Sequence, residues 1–413
     1  MDVRITPKPL SGAVTPPPSK SQAHRLLIAA ALSGGRSVIS GLADSQDIQA
    51  TRRCLSALGA WIEDLSPGTV RVHGLGNAIV EAGPAPVLDC GESGSTLRFL
   101  IPLALLVGGS AQFTGHGRLM ERPLKPYEDL FREKGIAWEL KDGILTVDGG
   151  KGYEDYALSP GEYRLPGNVS SQFFTGLLFV LPLLEGDSTL VPTTPLESRG
   201  YLEMTQQAME QAGVVSRWQG NTLFIPGNQR YQPFEATVEA DWSQAGFWYA
   251  ALALGSQVEL EGLNAFSAQG DMAVVPHYLR LTRPGDVDID VSGIPDLLPP
   301  LAVMAAVRSG TTRFLNAGRL RMKESDRLST TSAMLRALGG ECREGPDSLT
   351  VTGGSLTGGT VDGANDHRIV MAAAIAATAC TAPVTILGAE AVAKSYPDFW
   401  EVYETLGGEV HVL

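Results

Sequence analysis

A two-domain α/β protein is the fold class that this sequence predicts, on three observations. A polar segment leading into a strongly apolar helix comes back six times. Between its copies run amphipathic helix patterns that stop at glycine and pass into short alternating runs. The 413 residues also exceed what one core of ordinary size organises.

The apolar helices begin SKSQAHRLLIAAALSGG at 19, ESGSTLRFLIPLALLVGG at 92, VSSQFFTGLLFVLPLLEG at 169, DWSQAGFWYAALALGS at 241, PDLLPPLAVMAAVRSG at 295 and DHRIVMAAAIAATA at 366. The spacing is too long for solenoid repeats, so each copy opens a supersecondary unit. The helices are apolar almost all round, which means they are buried. FLIPLALLV and FFTGLLFVLPLL are too short to span a bilayer, and no membrane association is expected.

The intervening segments are DIQATRRCLSALGAWIEDL, YEDLFREKGIAWEL, YLEMTQQAMEQAGVVSRW, DRLSTTSAMLRALGGECRE and FWEVYETLGGEVHVL. Apolar residues recur in them at helical spacing, and Gly59, Gly135, Gly213, Gly339 and Gly407 fall where a helix-ending glycine belongs. The fourth unit, around Met272 to Leu281, lacks a clean version. Alternating runs such as TVRVHGL, GILTVDG and NTLFIPG supply strands. Six units give three per domain, with the seam in the Pro/Gly-punctuated stretch FIPGNQRYQPFEATVEAD, 224 to 241.

The first apolar helix poses a chemical question. PPPSKSQAHRLL puts Lys20, Ser21 and Arg25 at the start of a helix entered from an extended proline run. A helix start is positive by its own dipole and is a poor place for cations, unless an anionic ligand binds the amides and the cations together. A merely solvated helix start is the alternative. The same coincidence recurs, because Arg98, Arg118, Arg122, Arg199, Arg321, Lys323, Arg327, Arg368 and Lys394 also fall in or beside the polar segments, joined by Ser95, Ser170, Ser171 and Gln172. With the buried helices of each domain aligned, their amino ends form two positive clusters on a shared cleft.

The whole chain carries a net charge of −13, so nucleic acid is not an expected partner, whereas cations gathered at helix starts fit small anionic substrates. The four cysteines stand apart with no metal-knuckle spacing, and the N-terminus has no apolar leader. The expectation is a cytoplasmic protein that uses no metal and no cofactor.

Anion binding alone does not require Asp296 and Glu324. Asp296 sits at the head of a buried helix, where capping or proton transfer accounts for it. Glu324 lies inside RMKESDRL, where a helix-face salt bridge to Arg327 or proton transfer does so. Lys20, if crowded by other cations, has a lowered pKa and joins that work.

SKSQAHR, ESGSTLR, RLMERP, NVSSQF, PDLLP, RMKESDRL, NDHR and AKSYPDF, in this order along nearly the whole chain, resemble the 5-enolpyruvylshikimate-3-phosphate synthase (3-phosphoshikimate 1-carboxyvinyltransferase) family of the enolpyruvyl transferases. The resemblance implies a two-domain inside-out α/β barrel, each domain three βαβαββ repeats with buried parallel helices. It implies one domain of residues 1–14 and 237–413, another of 15–236, and hinges near 13–20 and 226–241. It further implies transfer of the enolpyruvyl group of phosphoenolpyruvate to the 5-hydroxyl of shikimate 3-phosphate with release of phosphate, by a protein expected to be a monomer.

On that resemblance Lys20, Gly94, Arg122, Arg327, Arg368 and Lys394 hold phosphoenolpyruvate. Lys20, Ser21, Arg25, Ser170, Ser171, Gln172, Tyr201, Asp296 and Lys323 hold shikimate 3-phosphate. Asp296, Glu324 and Lys20 are the catalytic residues: Asp296 orients the hydroxyl and helps take its proton, and Glu324 exchanges a proton with the methylene carbon. Pro18, His24, Glu92 and Arg319 depart from the commoner pattern of glycine, asparagine, asparagine and asparagine, and none of them removes a catalytic group. A sister transferase acting on UDP-N-acetylglucosamine typically carries a cysteine in the loop GHGRLMERP, which has none here. A non-catalytic binder of phosphorylated metabolites needs no carboxylates, and a nucleotide-using cyclase wants a phosphate loop that is not present.

Overall fold

The computed structural model of the chain describes residues 1–76, 85–150 and 158–413. These form two compact units, Lys20–Val238 and Met1–Ser19 with Glu239–Leu413, each with its own apolar core.

In the unit Lys20–Val238 one pattern is repeated three times. The first copy runs through α1 (Lys20–Leu32), strand Arg36–Ser40, α2 (Gln46–Ala57) and the antiparallel strands Trp61–Ser66 and Thr69–His73. The second begins with strand Val87–Asp89 and continues with α3 (Gly94–Gly108), strand Ser110–Thr114, α4 (Lys125–Glu133) and strands Ala137–Lys141 and Ile144–Asp148. The third begins with Gly161–Leu165 and continues with α5 (Ser171–Val180), strand Ser188–Pro192, α6 (Arg199–Gln211) and strands Arg217–Gln219 and Thr222–Ile225. Each copy is therefore β-α-β-α-β-β with its first two strands parallel, and in the second and third copies these are joined through the buried helix. The first copy borrows its opening strand from the far end of the unit, where Glu235–Thr237 pairs parallel to Arg36–Ser40.

The other unit has α7 (Trp242–Ala253), α8 (Val274–Leu281), α9 (Leu298–Val307), α10 (Arg327–Ala337), α11 (His367–Ala377) and α12 (Phe399–Thr405). Two of its repeats carry the same four-stranded sheet. In the last of them the N-terminal strand Val3–Thr6 lies antiparallel between Val384–Leu387 and Glu409–Val412. The fourth repeat departs from the expected six elements, because strands Ser11–Val14 and Gln257–Leu260 form a two-stranded parallel sheet and no hairpin follows α8. Only TRPGD separates α8 from the strand Val287–Asp290, too short and proline-interrupted for two more strands. α8 buries only Val274 and Leu281, which is why its sequence shows no clean apolar stripe.

α1, α3 and α5 line the core of their unit, as α7, α9 and α11 do in theirs. α3 and α5 approach so closely that a side-chain carbon at Gly176 would lie 2.5 Å from the carbonyl of Arg98. The even-numbered helices keep one face in water, and all but α8 end as their sequences indicate. Gly59, Gly135, Gly213, Gly339 and Gly407 take φ of 106°, 77°, 76°, 84° and 88°, a region that residues with a Cβ avoid. Among the described residues no helix is long and apolar enough to cross a membrane.

Candidate active site

The buried helices begin where the polar motifs lie. Ser93, Ser170, Asp241 and Asp366 cap α3, α5, α7 and α11, each side chain accepting from a backbone N–H in the first turn.

In the unit Lys20–Val238 the Lys20 ammonium, at the start of α1, meets Asp47 Oδ2 at 2.8 Å. α2 thus brings a buried carboxylate to the ammonium. Arg25 lies one turn farther on and is buried. It donates from Nε to Thr205 Oγ1 at 2.8 Å, from Nη1 to the Ser21 carbonyl at 2.5 Å and from Nη2 to the Tyr201 carbonyl at 3.1 Å. Its guanidinium carbon is 5.1 Å from the Phe99 ring centre and 5.8 Å from that of Tyr201, and burial pulls its pKa down to about 10.

Gly94 opens α3 with the guanidinium of Arg122 laid against it. A Cβ on Gly94 would stand 2.7 Å from Arg122 Nη1, so the guanidinium lies where it does because this helix start has no side chain. Gln172, in the first turn of α5, accepts from Arg98 Nη1 at 2.7 Å and donates to Ser95 Oγ at 3.0 Å. Ser171 is buried beside the cap Ser170. Arg118 and Arg199 go to structural work: Arg118 faces Glu121, and Arg199 pairs with Glu203 and covers the Trp218 ring.

The other unit gathers its charges around Asp296. Arg327 Nη1 lies 2.8 Å from Asp296 Oδ1, Arg368 Nη2 3.1 Å from Oδ2 and Lys323 Nζ 3.5 Å from Oδ1. Burial alone would raise the Asp296 pKa, but Arg368, Lys323 and Arg327 outweigh it and hold the carboxyl well below the usual range. Capping does not explain Asp296, since it lies inside the 3₁₀ turn Pro295–Leu297 that leads into α9, with no side-chain cap bond.

Glu324 pairs with Arg327 Nη2 from the segment before α10, so the ion pair exists without the helix face first imagined for it. Burial lowers the Lys323 pKa to about 8, with Arg327 and Arg319 pushing the same way against Asp296. Arg319 itself donates to the Ser292 carbonyl. Lys394 is buried and donates to the Asn365 carbonyl at 2.6 Å, just ahead of the cap of α11. Arg321 is occupied by Asp326 and Glu344.

Asp366 went unassigned in the sequence. It is fully buried, caps α11 and accepts from Arg327 Nε at 2.9 Å and from Ser325 Oγ at 2.9 Å. Its signal was present in NDHR, an Asx residue directly before a buried helix. Asp47 was missed because an acidic residue in the first turn of an amphipathic helix reads as a dipole partner.

The family profile of EPSP synthase (3-phosphoshikimate 1-carboxyvinyltransferase) matches residues 5–403. The chain belongs to the EPSP synthase family. Relatives named 3-phosphoshikimate 1-carboxyvinyltransferase include one from Clostridium kluyveri, 44% identical over 99% of this chain and 98% of its own, and one from Clostridium novyi, 41% identical over 98% of each. Among solved structures, an EPSP synthase from Acinetobacter baumannii aligns over 100% of both chains with a TM-score of 0.81 at 25% identity. The enolpyruvyl transferase NikO from Streptomyces tendae shares the fold, with a TM-score of 0.77 at 18% identity. With EPSP synthases as relatives, the phosphoenolpyruvate set suggested by the motifs divides between the units, Lys20, Gly94 and Arg122 in one and Arg327, Arg368 and Lys394 in the other.

Proposed function

We propose that this protein transfers the enolpyruvyl group of phosphoenolpyruvate to the 5-hydroxyl of shikimate 3-phosphate, releasing phosphate. The observation that carries this reading is the group around Asp296, where three cations and Glu324 lie within one or two contacts of a single half-buried carboxylate. A site that only held anions would have no use for two carboxylates among its cations.

Lys20, Gly94, Arg122, Arg327, Arg368 and Lys394 hold phosphoenolpyruvate. Lys20, Ser21, Arg25, Ser170, Ser171, Gln172, Tyr201, Asp296 and Lys323 hold shikimate 3-phosphate. Both substrates are polyanions that repel each other, and a cation-lined site offsets that repulsion. Their binding also divides the hold of Arg368, Lys323 and Arg327 on Asp296, which makes that carboxylate a better proton acceptor than at rest.

Glu324 takes up a proton from water as the anionic substrates draw Arg327 away from it. The 5-hydroxyl oxygen then bonds to C2 of the enolpyruvyl group and gives its proton to Asp296, while C3 takes the proton from Glu324 and becomes a methyl. The C2–O bond to phosphate breaks with its electron pair, Glu324 recovers a methyl proton, and the double bond re-forms. The proton on Asp296 leaves with the phosphate, with Lys20 assisting. Mixing the protein with the two substrates in EDTA releases phosphate in step with the enolpyruvyl ether. No release from folded protein overturns the reading.

A further inference from the structure

A chain of buried polar groups runs through the unit Lys20–Val238 and takes no part in the reaction above. His24 Nδ1 lies 2.8 Å from Thr51 Oγ1, Thr51 Oγ1 lies 2.6 Å from Thr96 Oγ1, and Thr96 Oγ1 donates to Ser93 Oγ at 2.8 Å. All four residues are buried. Each threonine hydroxyl has one proton to give. Thr96 spends its proton on Ser93, so Thr51 donates to Thr96 and His24 donates to Thr51. The ring is thereby fixed as the Nδ1–H tautomer, with a bare Nε2 that has no partner among the described residues and an edge set against Phe99 at 6.3 Å. Burial, with Lys20 and Arg25 beside it, holds the imidazole well below its ordinary range and hence neutral.

The two ends of this chain matter. Lys20 and His24 are one turn apart on α1, and Asp47 and Thr51 are one turn apart on α2, so the pairs Lys20–Asp47 and His24–Thr51 form two rungs between the helices. The far end is Ser93, whose hydroxyl oxygen accepts from the Thr96 amide at 3.2 Å and caps the helix that starts at Gly94. An apolar side chain of similar size would spare the unpaired Nε2 its burial and would break the chain.

We propose that His24 is a positioning residue for phosphoenolpyruvate, holding Lys20 on α1 and Gly94 on α3 at a fixed spacing through Thr51, Thr96 and Ser93. This rests on the proposed reaction. The chain does not touch the reacting atoms. Gly94 serves phosphoenolpyruvate alone while Lys20 serves both substrates, so loss of the chain weakens phosphoenolpyruvate binding most and shikimate 3-phosphate binding and turnover less.

The test uses His24→Leu, the near-isosteric Thr96→Val, their double variant and His24→Asn, whose carboxamide nitrogen falls where Nδ1 lies. The expectation for His24→Leu and Thr96→Val is a KM for phosphoenolpyruvate raised about fivefold to tenfold. The kcat and the KM for shikimate 3-phosphate, which depend on the chain through Lys20 alone, change by no more than about threefold. The double variant loses no more than either single one, and His24→Asn restores the wild-type value. Without substrates, ¹⁵N NMR of the wild type shows the Nδ1–H tautomer, and both single variants shift the Gly94 amide resonance. An unchanged KM in folded variants, an equal rise of both KM values, additive losses or an Nε2–H tautomer overturns the proposal. Absence of turnover in the wild type overturns the reaction instead, and the tautomer and the Gly94 amide still test the chain.

Discussion

Arg327 and Asp366 form a charge pair away from water: Nε lies 2.9 Å from Oδ2, Nη2 lies 3.2 Å from Oδ1, and the side chains are 1% and 0% exposed. Arg327 also serves Asp296 and Glu324, so three carboxylates share one guanidinium. Asp366 holds it from the cap of α11, and the other two are the carboxylates to which the proposed reaction gives its proton transfers.

Removing that support leaves a buried cation poorly balanced. Asp366→Ala destabilises the protein by about 3–5 kcal/mol, read from urea unfolding. Asp366→Asn keeps an oxygen for the cap of α11 and costs less, while still lowering kcat/KM for phosphoenolpyruvate. Wild-type kinetics in Asp366→Asn would show that Arg327 needs no such partner.

Glu324 faces a different test, because its ion pair with Arg327 allows a purely structural role. Glu324→Gln lowers kcat by about 10²–10⁴, the range for loss of a positioned acid or base, and leaves shikimate 3-phosphate binding largely intact by calorimetry. Loss of binding in place of turnover returns Glu324 to the structural role.

Lys323 makes substrate binding depend on pH. With its pKa lowered to about 8 by burial, the ammonium is lost as pH rises through that value. The Kd for shikimate 3-phosphate therefore rises about tenfold between pH 7 and pH 9, and Lys323→Arg flattens the profile. The effect on stability has the opposite sense. Since the folded value lies below that of the unfolded chain, holding the charge costs stability below about 8, and the cost is relieved as pH rises toward the unfolded lysine value of about 10.4. A flat wild-type binding profile would exclude Lys323 from the substrate.

Gly94→Ala places a methyl where Arg122 now lies, 2.7 Å from Nη1. The guanidinium has to move, and the KM for phosphoenolpyruvate rises about tenfold, equivalent to about 1.4 kcal/mol, with the KM for shikimate 3-phosphate unchanged. Equal change in both values would point to a general distortion of α3.

The elements that were legible are those whose cause is local. Gly59, Gly135, Gly213, Gly339 and Gly407 announced helix ends because the left-handed turn after a helix selects glycine, and the polar segments at 169 and 241 announced helix starts, where Ser170 and Asp241 cap the next turn. The place of Val3–Thr6 between Val384–Leu387 and Glu409–Val412 was not legible, since it depends on pairing across almost the whole chain. The same limit hid the partners of the site cations. Lys20 and Arg327 stood out as helix-start cations, but Asp47 and Asp366 meet them only through the packing of α2 on α1 and of α10 beside α11. Asp296 kept two readings until Arg368, Lys323 and Arg327 were seen to meet its carboxylate, which makes no cap bond.

The central claim is that C3 of the enolpyruvyl group becomes a methyl and returns to a methylene, and turnover in D₂O tests this most directly. NMR of the product vinyl group after the reaction is expected to show deuterium in the methylene for the wild type and next to none for single-turnover Glu324→Gln. A product formed at the wild-type rate with no deuterium at that carbon would contradict the account.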